Sequence, residues 1–122
     1  MVVELIYFDI HGRGFMPRLV LAAGGVEFKD TRVTYPQLLE MKEKNSVPLG
    51  QIPILKTDQL VINQSAAIIN WAMRNGDLPD LSDEEASKSD MVAETCKDIV
   101  GSVSSSAFAA MNKIDASKKV KE

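Results

Sequence analysis

Hydrophobic positions in this chain fall into short runs whose period changes from segment to segment. Val2 to Phe8 is apolar except for Glu4, rich in β-formers and bounded by Asp9 to Gly14. Such a run predicts a buried strand in a covered sheet. Gly12 and Gly14 mark a loop, and Phe15 to Ala23 predicts a helix. Pro17 is tolerated in its first turn and Gly24-Gly25 supplies its stop. Val26 to Thr34 predicts a second strand, in which Val26 and Phe28 give way to Lys29, Asp30 and Arg32, the pattern of a sheet edge. Tyr35 to Lys44 predicts a short, irregular helix carrying Leu38, Leu39 and Met41. Ile52 to Leu55 and Leu60 to Ile62 predict a hairpin turning at Thr57-Asp58-Gln59. Gln64 to Asn75 predicts a helix with Ala67, Ile68, Trp71 and Ala72 on one face and Gly76 at its end.

The predicted order is therefore βαβαββα. That order fits an α/β fold of thioredoxin-like type, a mixed sheet with helices on its faces. Gly76 to Leu81, containing Pro79, reads as a linker between a domain over 1–78 and a helical segment over 79–122. Ser82 and Glu85 form a capping-box pattern at the start of that segment. Val92, Cys96, Ile99, Val103, Ala107 and Met111 continue it at helical spacing, with Cys96 read as a small buried hydrophobe. A lone amphipathic helix needs packing partners. The second part is expected to be the start of an incomplete all-helical domain, with an exposed apolar face over 92–111.

Composition narrows the function classes. The chain has 122 residues, 45% hydrophobic and 25% charged, with a formal net charge of −3 and both signs mixed. No basic face suggests a nucleic-acid partner. No apolar run approaches the ~20 residues that span a bilayer. The single cysteine allows no intrachain disulfide, and one His with one Cys cannot build an ordinary zinc site. With no secretory signal pattern at the start, the expected setting is cytoplasmic, with no membrane partner, no nucleic acid and no metal.

Candidate chemistry gathers in three segments. Pro53 opens a strand to which it cannot donate a hydrogen bond. It is either a simple strand-initiating proline or the second residue of a cis peptide that turns Ile52 outward to pair with a peptide-like ligand. Gln64-Ser65 stands at a helix N-terminus, where Ser65 either caps the first turn or helps hold a carboxylate. Tyr7 ends the first strand, where α/β sheets place functional loops, and its phenol is either a hydrogen-bond donor to a developing anion or an ordinary strand aromatic. Arg13 could hold a carboxylate, brace that loop or be an ordinary solvated arginine. His11 reads as exposed and Trp71 as core. Residues 9 to 18 contain no cysteine, so a thiol used here must come from the ligand.

These segments together resemble the N-terminal domain of a glutathione transferase of the sigma class. The resembling stretches are Tyr7-Phe8 with Gly12-Arg13, Arg18 to Asp30, Pro48-Leu-Gly-Gln-Ile-Pro-Ile-Leu55 and Gln64-Ser65-Ala-Ala-Ile68. The resemblance implies that Tyr7 is the catalytic tyrosine stabilising the glutathione thiolate, with Arg13 supporting it. It also implies that Ile52, before a cis Pro53, pairs with the cysteinyl backbone of glutathione. Gln64 and Ser65 would hold the γ-glutamyl carboxylate, while Lys42 and Gln51 would meet the glycine carboxylate. Asp98 matches the acidic residue that reaches the partner's glutathione across a homodimer.

Two departures stand out. Leu38 occupies the site position where the family has Trp, and Gly12-Arg-Gly-Phe15 replaces Gly-Arg-Ala-Glu. The resemblance implies thiolate attack on a lipophilic electrophile or a sigma-type isomerisation, with glutathione as co-substrate. It also leaves open a crystallin-like structural protein and a truncated glutathione-binding module.

Overall fold

A computed structural model describes residues 1–119, with side-chain surroundings through residue 113. It divides into two compact units, Met1–Pro79 and a second from Asp80 onward.

The first unit is built on a four-stranded sheet. Strand β1 (Glu4–Phe8) is followed by helix α1 (Phe15–Ala23), strand β2 (Lys29–Val33) and helix α2 (Tyr35–Glu43). Strands β3 (Ile54–Lys56) and β4 (Val61–Asn63) and helix α3 (Ser65–Asn75) complete it. The sheet order is β2-β1-β3-β4, with β1 parallel to β2 and antiparallel to β3. This is the mixed sheet expected of a thioredoxin-like α/β domain. The charged β2 lies at one edge, as its sequence predicts.

Strand period fixes which side chains face which helices. Val3, Leu5 and Leu55 join Leu21 of α1 and Ile68, Trp71 and Ala72 of α3 in one buried cluster. Ile6, Ile54 and Val33 join Leu38 of α2 and Val47 in the other. The continuous apolar run of β1 is thus consumed by two cores, one on each face of the sheet. Gly24 and Gly76 let the ends of α1 and α3 meet, because a Cβ on Gly24 would stand 3.1 Å from the Cα of Gly76. The N–H of Asp77 closes that junction on the carbonyl of Gly24 at 2.8 Å.

Element ends differ from the sequence reading for local reasons. Val26 to Phe28 precede β2, and Val26 and Phe28 pack against the α1/α3 core as loop side chains. Strand β3 starts at Ile54, after Pro53, which has no N–H to give the ladder. The helix after Thr34 is regular because Thr34 and Gln37 form a reciprocal capping box unnoticed in the sequence: the Gln37 side chain accepts from the Thr34 N–H at 2.8 Å. In the β3–β4 turn, the Thr57 hydroxyl accepts from the N–H groups of Gln59 and Leu60, both at 3.2 Å. That side-chain bond replaces the Gly-containing turn the segment lacks.

The second unit contains one described helix, α4 (Asp83–Lys119). Its capping box forms as read: Glu85 Oε2 accepts from the Ser82 N–H and hydroxyl, both at 2.9 Å. Val92, Ile99, Val103 and Met111 are exposed along it. Cys96 is exposed as well, correcting its reading as a buried hydrophobe. Its stripe is apolar in sequence, but apolar spacing alone supplies no covering surface.

Candidate functional site

The site residues converge because of strand register. Ile6 pairs with Ile54 and Ile54 with Asn63, forming one row across β1, β3 and β4. Continued by one residue beyond the ladder, the same register sets Tyr7, Pro53 and Gln64 side by side. Three residues spread over 58 positions of sequence, Tyr7 to Gln64, are thereby brought to one end of the sheet.

Tyr7 is 7% exposed and shares the face of Leu5, toward α1. A 3-10 turn at Gly12–Gly14 wraps around its ring. The backbone N–H of Arg13 donates to the Tyr7 hydroxyl oxygen at 3.1 Å. Arg13 therefore reaches Tyr7 through its main chain, while its side chain is exposed. Gly12 has φ +39°, and a Cβ there would stand 2.6 Å from the Tyr7 hydroxyl. A Cβ on Gly14 would overlap the Tyr7 ring itself. Both glycines are needed for this seat, which was not apparent from their reading as loop markers.

Arg18 of α1 completes the surround. Its guanidinium lies 5.7 Å from the Tyr7 ring centroid. A lone arginine reads in sequence as a solvated surface group, yet Arg18 is the one charged residue in the apolar helix Phe15–Ala23. Beyond it runs an ion-pair chain: Asp30 accepts from Arg18 and from Arg32, and Arg32 also pairs with Asp9 at 2.6 Å. The hydrogen bonds from Arg32 to Asp9, first, and to Asp30 raise the Arg32 pKa above its ordinary value.

The Ile52–Pro53 bond is cis, the isomer required by the second reading of that proline. Ile52 lies outside the β3 ladder, whose pairs begin at Ile54. Gln64 is the residue before α3, at φ +72°, with no side-chain cap. Its amide instead donates to the Gln51 side chain at 3.1 Å. Ser65 is already the first helical residue, so the reading of Ser65 as an N-cap is corrected. Lys42 lies alongside this segment, its Cε 3.9 Å from where a Gly50 Cβ would be.

One sequence-predicted residue of this unit lies elsewhere. Leu38 is 5% exposed and packs with Ile6, Val33, Val47 and Ile54. It is a core residue rather than part of the site surface, since an aliphatic group gains more from burial than it could offer a polar ligand. Asp98 is exposed on α4, in the second unit. Among the described residues, no group of three or more His, Cys, Asp or Glu side chains is placed to hold a metal ion.

The chain has relatives among known proteins. The family model for the glutathione S-transferase N-terminal domain matches residues 3–74. The chain belongs to the glutathione S-transferase family. It is 38% identical over 99 residues to glutathione S-transferase P of Caenorhabditis elegans, covering 81% of this chain and 47% of that protein. It is 31% identical to human hematopoietic prostaglandin D synthase, covering 80% of this chain and 48% of the relative. Among solved structures, the glutathione S-transferase of Ascaris lumbricoides superposes with a TM-score of 0.71 at 34% identity, over 83% of this chain and 48% of that one. The chain thus spans about half the length of the glutathione S-transferase relatives it matches.

Proposed function

We propose that this chain carries the glutathione-binding half of a sigma-class-like glutathione transferase, in which Tyr7 stabilises the glutathione thiolate. The observation that carries the reading is the row of Tyr7, Pro53 and Gln64 at one end of the sheet, with the Arg13 N–H already on the Tyr7 oxygen. An oxygen that accepts there keeps its own O–H to donate, and a thiolate is a strong acceptor for it. A free thiol has a pKa of about 8.5, so a hydrogen bond to the anion raises its reactive fraction near neutral pH.

Glutathione is a tripeptide, and each part has a matching element in this reading. The cysteinyl backbone pairs with Ile52 as an added strand. The γ-glutamyl carboxylate lies at the N-terminus of α3, near Gln64 and Ser65, where free N–H groups favour an anion. Lys42 and Gln51 meet the glycine carboxylate. The thiolate then attacks a lipophilic electrophile, or serves a sigma-type isomerisation. Asp98 supplies the trans contact of a homodimer. The named relatives, a glutathione S-transferase and a prostaglandin D synthase, support both reaction types.

Retention on immobilised glutathione, with turnover of a chromogenic electrophile, tests the proposal. Tyr7→Phe should leave retention nearly intact while cutting turnover. Retention without turnover in the parent chain would reduce the reading to a binding module, and neither would favour a structural protein.

A further inference from the structure

Arg18 uses all three guanidinium nitrogens on different acceptors. Nε donates to Asp30 Oδ1 at 3.0 Å, one terminal nitrogen to the Ile10 carbonyl at 2.8 Å and the other to the Phe8 carbonyl at 2.9 Å. The side chain is 12% exposed, unlike the solvated arginines of a surface. The two carbonyls it holds flank Asp9, whose carboxylate is held in turn by Arg32. The first residues after Tyr7 are thus tied by charged hydrogen bonds to Arg18, which lies on α1 beyond the turn. The same guanidinium lies 5.7 Å from the Tyr7 ring centroid, within the range of a cation–π contact. Gly14 sits between them: a Cβ there would come 3.1 Å from an Arg18 terminal nitrogen as well as overlapping the ring.

We propose that Arg18 is the positioning residue for Tyr7, clamping the β1–α1 turn so that the Arg13 N–H and the phenol keep their hydrogen-bond geometry. This rests on the reading of Tyr7 as the thiolate partner for its consequence in catalysis, but not for its geometry. Arg18 touches no reacting atom; it acts through the turn and the ring. A lysine keeps the charge but presents a single ammonium, which cannot reach Asp30, Phe8 and Ile10 with the fixed fork of a guanidinium. Charge alone is therefore insufficient.

The chain has two tyrosines, so carbon-13 at tyrosine Cζ in a Tyr35→Phe background gives one resonance, that of Tyr7. Arg18→Lys and Arg18→Met, judged folded by circular dichroism and Trp71 fluorescence, should both shift and broaden it. Asp30→Asn, which weakens the clamp from its outer side, should shift it by less and serves if the Arg18 variants fail to fold. A folded Arg18→Met chain, or failing that a folded Asp30→Asn chain, with an unmoved resonance would overturn the proposal. So would Arg18→Lys matching the parent, since that would reduce Arg18 to a charge. In turnover, the Arg18 variants should lower kcat at least tenfold with little change in the KM for glutathione. If the resonance shifts but the parent chain does not bind glutathione, the positioning role stands and the catalytic reading fails.

Discussion

The main-chain N–H of Arg13 donates to the phenolic oxygen of Tyr7 at 3.1 Å, across a turn that contains two glycines. The bond exists only because Gly12 and Gly14 leave the ring room to approach the backbone. It also gives Arg13 a part that any non-proline residue could play through its main chain.

Gly14→Ala is therefore expected to be costly, although the family pattern at this position reads Ala. The added methyl must displace the Tyr7 ring, and overpacking of this kind costs about 1–3 kcal/mol. Urea unfolding should show a lower midpoint, and the Tyr7 Cζ resonance should move. An unchanged midpoint and resonance would mean that the ring has another seat.

Leu38→Trp would bring the family's indole to this position. Leu38 is enclosed by Ile6, Val33, Val47 and Ile54, so a larger ring overpacks that cluster. Stability should fall by about 1–3 kcal/mol, with no gain in glutathione affinity by titration calorimetry. A tighter-binding, fully stable variant would return position 38 to the site.

The capping box of α4 should be sensitive to acid. Glu85 has its pKa lowered by the hydrogen bond from the Ser82 N–H first and the Ser82 hydroxyl second. A depressed carboxylate pKa contributes stability above its unfolded value, near 4.5, and loses it as pH falls through the folded value. The Ser82 amide resonance should shift over that interval while the start of α4 frays. Glu85→Gln should abolish the titration, and a Ser82 amide indifferent to pH would contradict the cap.

Cys96 is exposed on α4, so a thiol reagent should label it in the folded chain without denaturant, at a rate close to that of a peptide thiol. Labelling that waits for unfolding would show that the surface around it is covered in solution.

Much of this architecture was legible from periodicity. The continuous apolar run of β1, with Val3 and Leu5 on one face and Ile6 on the other, and the helical period of Ile68, Trp71 and Ala72, dictate which faces are buried. Helix α1 begins and ends where Phe15 and the Gly24-Gly25 stop place it. The site was legible only in part. Tyr7, Pro53 and Gln64 could be named from their local chemistry and their resemblance, but their alignment is a property of strand register, which no local pattern carries. Arg18 was missed because a single arginine reads as surface until its three acceptors, distant in the chain or main-chain carbonyls, are known. Leu38 was misplaced because an alignment position transfers a family role even where the side chain cannot perform it. Cys96 was misread as buried although it stands on the stripe over 92–111 that was expected to be exposed.

The central claim is that Tyr7 lowers the thiol pKa of bound glutathione. The ultraviolet absorbance of the thiolate, followed against pH with the chain saturated by glutathione, measures this directly. The account predicts a midpoint well below the free-thiol value of about 8.5, and a return toward that value in Tyr7→Phe with binding retained. A midpoint that is the same in Tyr7→Phe and in the parent chain would contradict it.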